Sequence, residues 1–335
     1  MRIGFIGLGN AGGKLADSLL RNGYDLTVRD LNVEVARPFL DGGASWADSP
    51  RAMAEVCDVV ITCLPSPAAC SAVMEADDGI LAGFSVRAGS DTRASSDVGA
   101  EEGQRPIWLE MSTTDEAEVR RIGALVLEAG ADPADCPVSG GCHRAATGNI
   151  SIFAGCERAT FEQVLPVLTT MGRRILHTGP LGSASVLKVL TNYLASANLV
   201  SVTEALVTAA AAGMNLNTTY EAIRISSGNS FVHETEGQVI LNGSRDISFT
   251  MDLVAKDVGL FDALSRKLEV PLELSPLLVE VFEDGRVRYG DREFSPNIIR
   301  RLEEATGLDV RAPGFPAVIV DDEPEESGYE VKPPR

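Results

Sequence analysis

The stretch RIGFIGLGNAGG, residues 2–13, joins an apolar strand pattern over Ile3–Ile6 to a glycine-rich turn and the start of a helical pattern. Its spaced glycines have separate uses in such a turn. Gly7 permits the tight backbone turn, Gly9 lets the backbone approach a pyrophosphate, and Gly12 lets the helix pack closely on the strand. A strand, a glycine turn and a helix in this order predict a dinucleotide-binding unit.

Residues near this turn concern the choice of dinucleotide. Asn10 and Ala11 lie at the predicted helix N-terminus, which favours a phosphate. Asp30 ends the second strand about twenty residues later, and a carboxylate there accepts hydrogen bonds from the adenosine ribose and repels a 2′-phosphate. Arg29 acts in the opposite sense, because a guanidinium can pair with a 2′-phosphate. We therefore expect NAD as the cofactor, with NADP as the alternative and a plain turn residue as the other interpretation of Asp30.

The spacing of the remaining apolar segments indicates the fold class. Apolar runs at Val59–Leu64 and Ile107–Leu109 are separated by helical patterns, which is typical of βαβ units and a parallel sheet. Strand patterns then largely stop, and Ser183–Gly213 is one long run of small and apolar residues. The sequence thus predicts an α/β protein, with a Rossmann-type dinucleotide-binding domain over 1–178 followed by an all-helical domain over 179–306.

Two segments fit neither domain pattern. Arg87–Arg105 is rich in Ser, Gly, Ala, Asp and Arg without periodicity, and we expect a mobile surface loop there. The final residues, 307–335, contain five prolines and the acidic run Asp321–Glu326. We expect little regular structure in this acidic, proline-rich tail beyond Ala317–Val320, and we expect its removal to leave folding and activity largely intact.

The charge of the chain restricts its partners. A formal net charge of −19 and a pI near 4.6 repel nucleic acid phosphates and anionic membranes, so we expect neither as a partner. The long apolar run contains Asn198 and Glu204, which favours a buried helix over a membrane span. An anionic substrate would need a local cluster of positive charge, which directs attention to individual lysines and arginines.

Cysteine usage indicates the compartment. None of the six cysteines forms a CxxC pair, and Met1 leads directly into a strand pattern rather than a signal peptide. We therefore expect reduced thiols and a cytoplasmic protein. No His, Cys or carboxylate cluster has metal-ligand spacing, and we predict no metal site.

Two later motifs are suited to hold and react with a small anion. Ser139-Gly140-Gly141 follows a short strand pattern and can present a hydroxyl and backbone N–H groups to an anion, although a plain turn would look the same. Lys188 and Asn192 lie four residues apart in an apolar helical run, which places an ammonium and an amide on one helical face. Lys188 is thus a candidate proton donor, with a snorkelling helix lysine as the alternative.

Together, these motifs resemble the β-hydroxyacid dehydrogenase family, whose best-known type is 3-hydroxyisobutyrate dehydrogenase. The resemblance spans residues 2–306 and rests on GLGNAGG (7–13), TCLP (62–65), EMSTTD (110–115), DCPVSGG (135–141), the stretch Gly179–Asn192 and AKD (255–257). It implies an oxidoreductase that transfers a hydride between NAD(H) and the CH–OH group of a small β-hydroxy acid.

The resemblance also implies roles for individual residues. Lys188 would be the catalytic acid/base, Asn192 would orient the substrate, and the Ser139–Gly141 loop would hold the substrate carboxylate. Lys256, which the spacing alone presents as half of a solvated helix pair with Asp252, becomes a group that closes over cofactor and substrate. The other implied cofactor contacts are Leu64, Pro65 and Thr113.

The sequence departs from the family pattern in places and leaves alternatives open. Ala69 stands where the family usually has an asparagine, and Cys142-His143-Arg144 replace smaller residues that are common after the Ser-Gly-Gly loop. Imine reductases share the fold but usually lack the lysine, and a dinucleotide-binding sensor or scaffold would need no turnover at all. The wide apolar surface of the long helix predicts a homo-oligomer, either a dimer or a tetramer.

Overall fold

The computed structural model describes residues 1–94 and 104–334, and the chain divides into two compact units. The first unit contains Met1–Lys188 together with Asp322–Arg335, and the second contains Val189–Asp321. The division falls after Lys188, inside the helix Ser183–Ala211, whereas the sequence predicted a boundary after residue 178. This helix therefore contributes residues to both units. The predicted tail is likewise shared between the units.

Within the described residues, ten strands form one sheet in the first unit. The strands are β1 (Arg2–Ile6), β2 (Asp25–Arg29), β3 (Ser45–Trp46), β4 (Val59–Thr62), β5 (Ile107–Glu110), β6 (Asp132–Asp135), β7 (Val138–Ser139), β8 (Ser151–Gly155), β9 (Arg174–Gly179) and β10 (Tyr329–Glu330). Their order is β10-β9-β8-β6-β5-β4-β1-β2-β3, with β7 paired to β8, and only the β6–β8 and β7–β8 pairs are antiparallel. The run β3-β2-β1-β4-β5-β6 has the doubly wound order, whose ligand site lies at the carboxyl ends of the strands near β1 and β4. The predicted Rossmann-type domain is confirmed.

Helices cover this sheet, and several of them begin at a residue whose side chain caps the helix N-terminus. The helices are α1 (Gly12–Arg21), α2 (Val33–Asp41), α3 (Pro50–Val56), α4 (Pro67–Glu75), α5 (Ile80–Ala94), α6 (Glu116–Glu128), α7 (Gly141–Ala146) and α8 (Arg158–Met171). In four of them the N-cap side chain accepts a hydrogen bond from a first-turn amide: Asn32, Ser49, Ser66 and Asp115. Strands β4 and β5 are buried along their whole length, as expected for parallel strands between helical layers.

The mobile loop predicted for Arg87–Arg105 is partly wrong. Helix α5 continues to Ala94, and residues 95–103 lie outside the described part of the chain. Helix α5 packs closely on α3, since a Cβ on Gly83 would lie 2.5 Å from the Arg51 carbonyl oxygen. This packing stabilises a helix whose own sequence pattern is weak.

The second unit, all of whose residues are described, is helical as predicted. Its helices, together with the helix shared by both units, are α9 (Ser183–Ala211), α10 (Leu216–Arg224), α11 (Phe231–Asn242), α12 (Met251–Lys267), α13 (Leu274–Tyr289), a 3-10 helix (Ser295–Ile299) and α14 (Arg300–Thr306). One isolated bridge joins Thr250 to Phe294. The apolar core of this unit is built largely from the inner faces of these helices.

Helix α9 is long and apolar enough to cross a membrane by length and composition alone. Of its most apolar window, 33% is buried inside the protein. A core helix of a soluble protein meets the same test, so the property does not by itself indicate a membrane span.

The C-terminal residues are packed against protein rather than forming an appendage. In the second unit, Val310 is fully buried and the Ala312 N–H donates to the Leu241 carbonyl at 3.0 Å. In the first unit, β10 pairs with β9 at the edge of the sheet. The expectation of little regular structure missed this strand, because two residues that pair with an existing edge need no periodic pattern of their own.

Candidate active site

The glycine loop after β1 is shaped by close backbone contacts. Gly7 has a φ of +98°, and a Cβ there would lie 2.3 Å from the Cys63 carbonyl oxygen. A Cβ on Gly12 would lie 2.0 Å from the Gly7 carbonyl oxygen. Neither position tolerates a side chain, so Gly7 allows the tight turn and Gly12 lets α1 begin against it.

Above Gly9 the loop is open. Apart from Gly9 itself and its two chain neighbours, no described residue has an atom within 4 Å of the position that a Cβ on Gly9 would take. Asn10 and Ala11 follow, and Ala11 at the N-cap of α1 makes no side-chain hydrogen bond. The backbone at Gly9 is thus open, and it lies beside a helix N-terminus that the N-cap side chain does not cap. This combination fits the pyrophosphate of a dinucleotide.

Asp30 is held at the end of β2 and helps to shape the glycine loop. Its Oδ2 accepts from the Leu8 N–H at 2.7 Å, and its Oδ1 accepts from the Asn32 N–H at 2.9 Å. A carboxylate offers about four acceptor positions, so lone pairs remain for ribose hydroxyls. Arg29, the residue that favours NADP, donates from Nη1 to the Ala47 carbonyl at 2.9 Å. Its guanidinium is therefore partly engaged beside β3.

A buried carboxyl group, which the sequence did not single out, organises the loops after β4 and β5. Glu110 is fully buried and accepts from the Thr62 hydroxyl at 2.7 Å and the Cys70 thiol at 2.8 Å. It also accepts from the Ser112 N–H at 2.7 Å, while the Ser112 hydroxyl accepts from the Leu64 N–H at 2.8 Å. Burial raises the pKa of Glu110. These two loops carry the implied cofactor contacts Leu64, Pro65 and Thr113.

The Ser-Gly-Gly loop follows β7 and depends on its glycines. Gly140 has a φ of +129° and Gly141 a φ of +85°, a region that side-chain-bearing residues rarely adopt. Ser139 and Gly140 are half-buried and Gly141 is exposed, which leaves the loop accessible to an anion. The His143 ring lies beside it, since a Cβ on Gly141 would be 2.7 Å from His143 Cε1.

Asp135 at the end of β6 anchors the helix that carries Lys188. Its carboxylate is fully buried and accepts from the Gly182 N–H at 2.7 Å. It also accepts from the N–H and the hydroxyl of Ser185, at 2.7 and 2.8 Å. Burial raises the pKa of Asp135. The carboxylate thus caps the start of α9 from another element, and Lys188, one turn later, is only 8% exposed.

In the second unit, Asp257 brings Asn192 and Lys256 together. Asn192 Nδ2 donates to Asp257 Oδ2 at 2.5 Å, and Lys256 Nζ lies 2.9 Å from Asp257 Oδ1. Asp257 is buried, so both polar groups are held by a buried charge. Asp252, the partner that the spacing favoured for Lys256, lies 3.2 Å from the Arg292 guanidinium.

The predicted site residues are distributed over both units. The glycine loop, Asp30, the Ser139–Gly141 loop and Lys188 belong to the first unit, and Asn192 and Lys256 belong to the second. Over residues 1–94 and 104–334, no group of three His, Cys, Asp or Glu side chains could hold a metal ion. The six cysteines are free thiols.

Comparison with sequence families gives two consecutive matches. Residues 2–179 match a family described as the NAD binding domain of 6-phosphogluconate dehydrogenase. Residues 182–302 match one described as NAD-binding of NADP-dependent 3-hydroxyisobutyrate dehydrogenase. Both matches end before the C-terminal tail.

Individual relatives are similar over nearly the whole chain. The 2-(hydroxymethyl)glutarate dehydrogenase of Eubacterium barkeri is 30% identical over 311 residues, covering 92% of this chain and 97% of that protein. The NAD-dependent L-serine dehydrogenase of Pseudomonas aeruginosa is 31% identical over 316 residues, covering 91% and 98%. The crystal structure of 3-hydroxyisobutyrate dehydrogenase from Salmonella typhimurium has a TM-score of 0.76 at 26% identity and covers 90% of this chain and 99% of that one.

Proposed function

Because the chain belongs to the β-hydroxyacid dehydrogenase family, we propose that it transfers a hydride between NAD(H) and a small β-hydroxy acid similar to 3-hydroxyisobutyrate. The observation that carries the proposal is a buried lysine, Lys188, on a helix whose start is fixed by Asp135. The names of the three relatives support the substrate class. 2-(Hydroxymethyl)glutarate, L-serine and 3-hydroxyisobutyrate each carry a hydroxyl on the carbon β to a carboxylate.

Lys188 would act as the acid/base of the reaction. In oxidation its neutral amine takes the proton of the substrate hydroxyl, and in reduction its ammonium returns that proton. The family resemblance gives the Ser139–Gly141 loop the role of binding the substrate carboxylate and Asn192 the role of orienting the hydroxyl. Within the second unit, Asp257 holds Asn192 and Lys256 in place. Bound NAD supplies the hydride acceptor.

The first unit would hold NAD in preference to NADP. The pyrophosphate would lie against Gly9 at the N-terminus of α1, and Asp30 would accept from the ribose hydroxyls. A 2′-phosphate would meet the Asp30 carboxylate, and Arg29 is partly engaged with Ala47. Repulsion by Asp30 supports the NAD preference.

A panel of small hydroxy acids, assayed with NAD and with NADP, tests this function. We expect at least one β-hydroxy acid to produce NADH, with a higher kcat/KM for NAD than for NADP. A clear NADP preference would mean that Arg29 outweighs Asp30. Tight NAD binding without turnover would instead support a non-catalytic sensor, and reduction of a cyclic imine in place of hydroxy acids would support an imine reductase.

Helix α9 carries an apolar stripe that supports a homo-oligomer, either a dimer or a tetramer. Leu187, Leu190 and Leu194 recur at helical spacing and are 36%, 37% and 58% exposed. A second copy of the chain would cover them. Light scattering at micromolar concentration should therefore give a multiple of the 35.5 kDa chain mass.

Replacing one leucine of this stripe checks the assignment. Leu194→Lys should shift the mass toward the monomer, because it places a charge in the proposed interface. Leu268→Lys, at an exposed leucine just after α12, is the matched control and should not. A wild-type monomer would contradict the proposal.

The proposed compartment is the cytoplasm, with a small-molecule substrate and neither nucleic acid nor membrane as a partner. Six free thiols suit a reducing compartment. The net charge of −19 opposes binding to phosphate-rich surfaces.

A further inference from the structure

Residues 322–334, here the C-terminal segment, lie beyond both family matches yet are built into the first unit. Glu330 of β10 makes a bidentate ion pair with Arg158, at 2.6 and 3.1 Å. Glu325 pairs with Arg21 at 3.0 Å. Acidic side chains of the predicted tail therefore form ion pairs with arginines of the first unit.

Within this segment, Glu323 contacts the element that follows the Ser-Gly-Gly loop. Its carbonyl oxygen accepts from Asn149 Nδ2 at 2.9 Å, and its carboxylate lies 3.6 Å from Arg144 Nη2. Arg144 and Asn149 are themselves joined, since the Asn149 N–H donates to the Arg144 carbonyl at 2.8 Å. Glu323 thus holds both residues of the turn that closes α7.

Arg144 contacts both Glu323 and the Ser139–Gly141 loop, which is the proposed binding site of the substrate carboxylate. Its side chain lies over Gly140, since a Cβ there would be 3.4 Å from Arg144 Cδ. Gly140 is the centre of the Ser139–Gly141 loop, and its φ of +129° is one that favours glycine. Arg144 therefore packs on the loop through its aliphatic stem, while its guanidinium faces Glu323.

We infer that the C-terminal segment is part of the substrate site: Glu323 positions Arg144, and Arg144 fixes the Ser139–Gly141 loop for the substrate carboxylate. The inference rests on the proposed function for the identity of that site. Glu323 and Arg144 are positioning residues, because they act through the loop. An ion pair with this exposure contributes modestly, so its loss weakens substrate binding and leaves the chemical step in place.

Charge removal at Glu323 tests the inference. Glu323→Gln should raise the KM for the β-hydroxy acid about two- to fivefold, with kcat and the Kd of NAD unchanged. Glu323→Asp, which keeps the charge, should stay closer to the wild type. Glu326→Gln is the matched control, because Glu326 pairs with Arg173, which lies outside α7. The KM of this variant should equal that of the wild type. Equal KM values for the two Gln variants would overturn the inference, as would a fall in kcat and NAD affinity that accompanies the KM change.

A measurement without turnover separates this inference from the proposed function. Hydrogen exchange of a peptide covering residues 138–147 should be faster in Glu323→Gln than in the wild type and unchanged in Glu326→Gln. If no β-hydroxy acid is oxidised, the proposed function fails, and this exchange still decides whether Glu323 holds the loop. Unchanged exchange in Glu323→Gln overturns the inference whatever the substrate is.

Discussion

Replacing Lys188 with methionine should lower kcat by at least a hundredfold and leave the Kd of NAD nearly unchanged. General acid–base assistance contributes about a hundred- to ten-thousandfold to rate, and the substitution removes the group that moves the proton. Lys188 is buried, so the replacement must also keep the packing of α9. Methionine keeps most of the volume of the lysine stem and adapts to its surroundings. The cofactor should still bind, because the glycine loop and Asp30 are untouched.

Steady-state kinetics together with NAD titration by fluorescence measure both quantities. Lys267→Met is a suitable control, because it removes an exposed lysine at the end of α12 that belongs to none of the motifs. Its kcat should match that of the wild type. A near-normal kcat in Lys188→Met would make Lys188 structural and Lys256 the next candidate. A combined loss of folding and NAD binding would place the lysine in helix packing rather than in proton transfer.

The glycine loop was predictable because its constraints are local. The contact that excludes a side chain at Gly12 is made with Gly7, five residues earlier in the same motif. The spacing of the glycines is therefore enough to predict the tight turn and the close start of the helix. Asp30 also lies at the end of the second strand, as predicted. Its hydrogen bond to the Leu8 N–H is a tertiary contact that the spacing does not show.

The buried carboxylates were not assigned roles from the sequence, because their partners are distant along the chain. Asp257 contacts Asn192, and Glu110 contacts Thr62 and Cys70. The sequence did hold a usable signal. Glu110 ends an apolar strand pattern, and a carboxylate at the end of a buried strand is costly unless it is paired. Such a residue should be expected to organise a loop.

The C-terminal segment escaped prediction for a different reason. Its prolines and acidic residues match the composition of a disordered tail. The arginines that receive its charges, Arg21 and Arg158, lie on α1 and α8, far apart in the sequence. The expectation of little regular structure holds for the described residues of this segment apart from the two residues of β10. Composition gave no sign of the ion pairs, because charge complementarity between distant segments becomes visible only in the folded chain.

Changing Asp135 to asparagine should destabilise the protein and also slow catalysis. The Asp135 carboxylate accepts hydrogen bonds from the Gly182 N–H and from the N–H and hydroxyl of Ser185. An asparagine of the same size turns one acceptor into an NH2 group that faces a donor. Hydrogen bonds to a charged acceptor contribute about 1.5–3 kcal/mol each, so we expect a loss of about 2–4 kcal/mol in the free energy of unfolding.

The effect on rate follows from the place of Lys188 on the same helix. Ser185 and Lys188 are separated by less than one turn of α9, so a displaced helix start moves the ammonium. Because a misplacement of about 1 Å can cost a hundredfold in rate, we expect kcat of Asp135→Asn to fall about ten- to a hundredfold. Ser185→Ala removes only the hydroxyl contact and should lie between this variant and the wild type in both quantities. Urea denaturation measures the free energy of unfolding of the three proteins. Their kcat values are then compared under conditions in which every variant is folded. An Asp135→Asn protein that is less stable but retains the wild-type kcat would show that the anchor stabilises the helix without setting the position of Lys188.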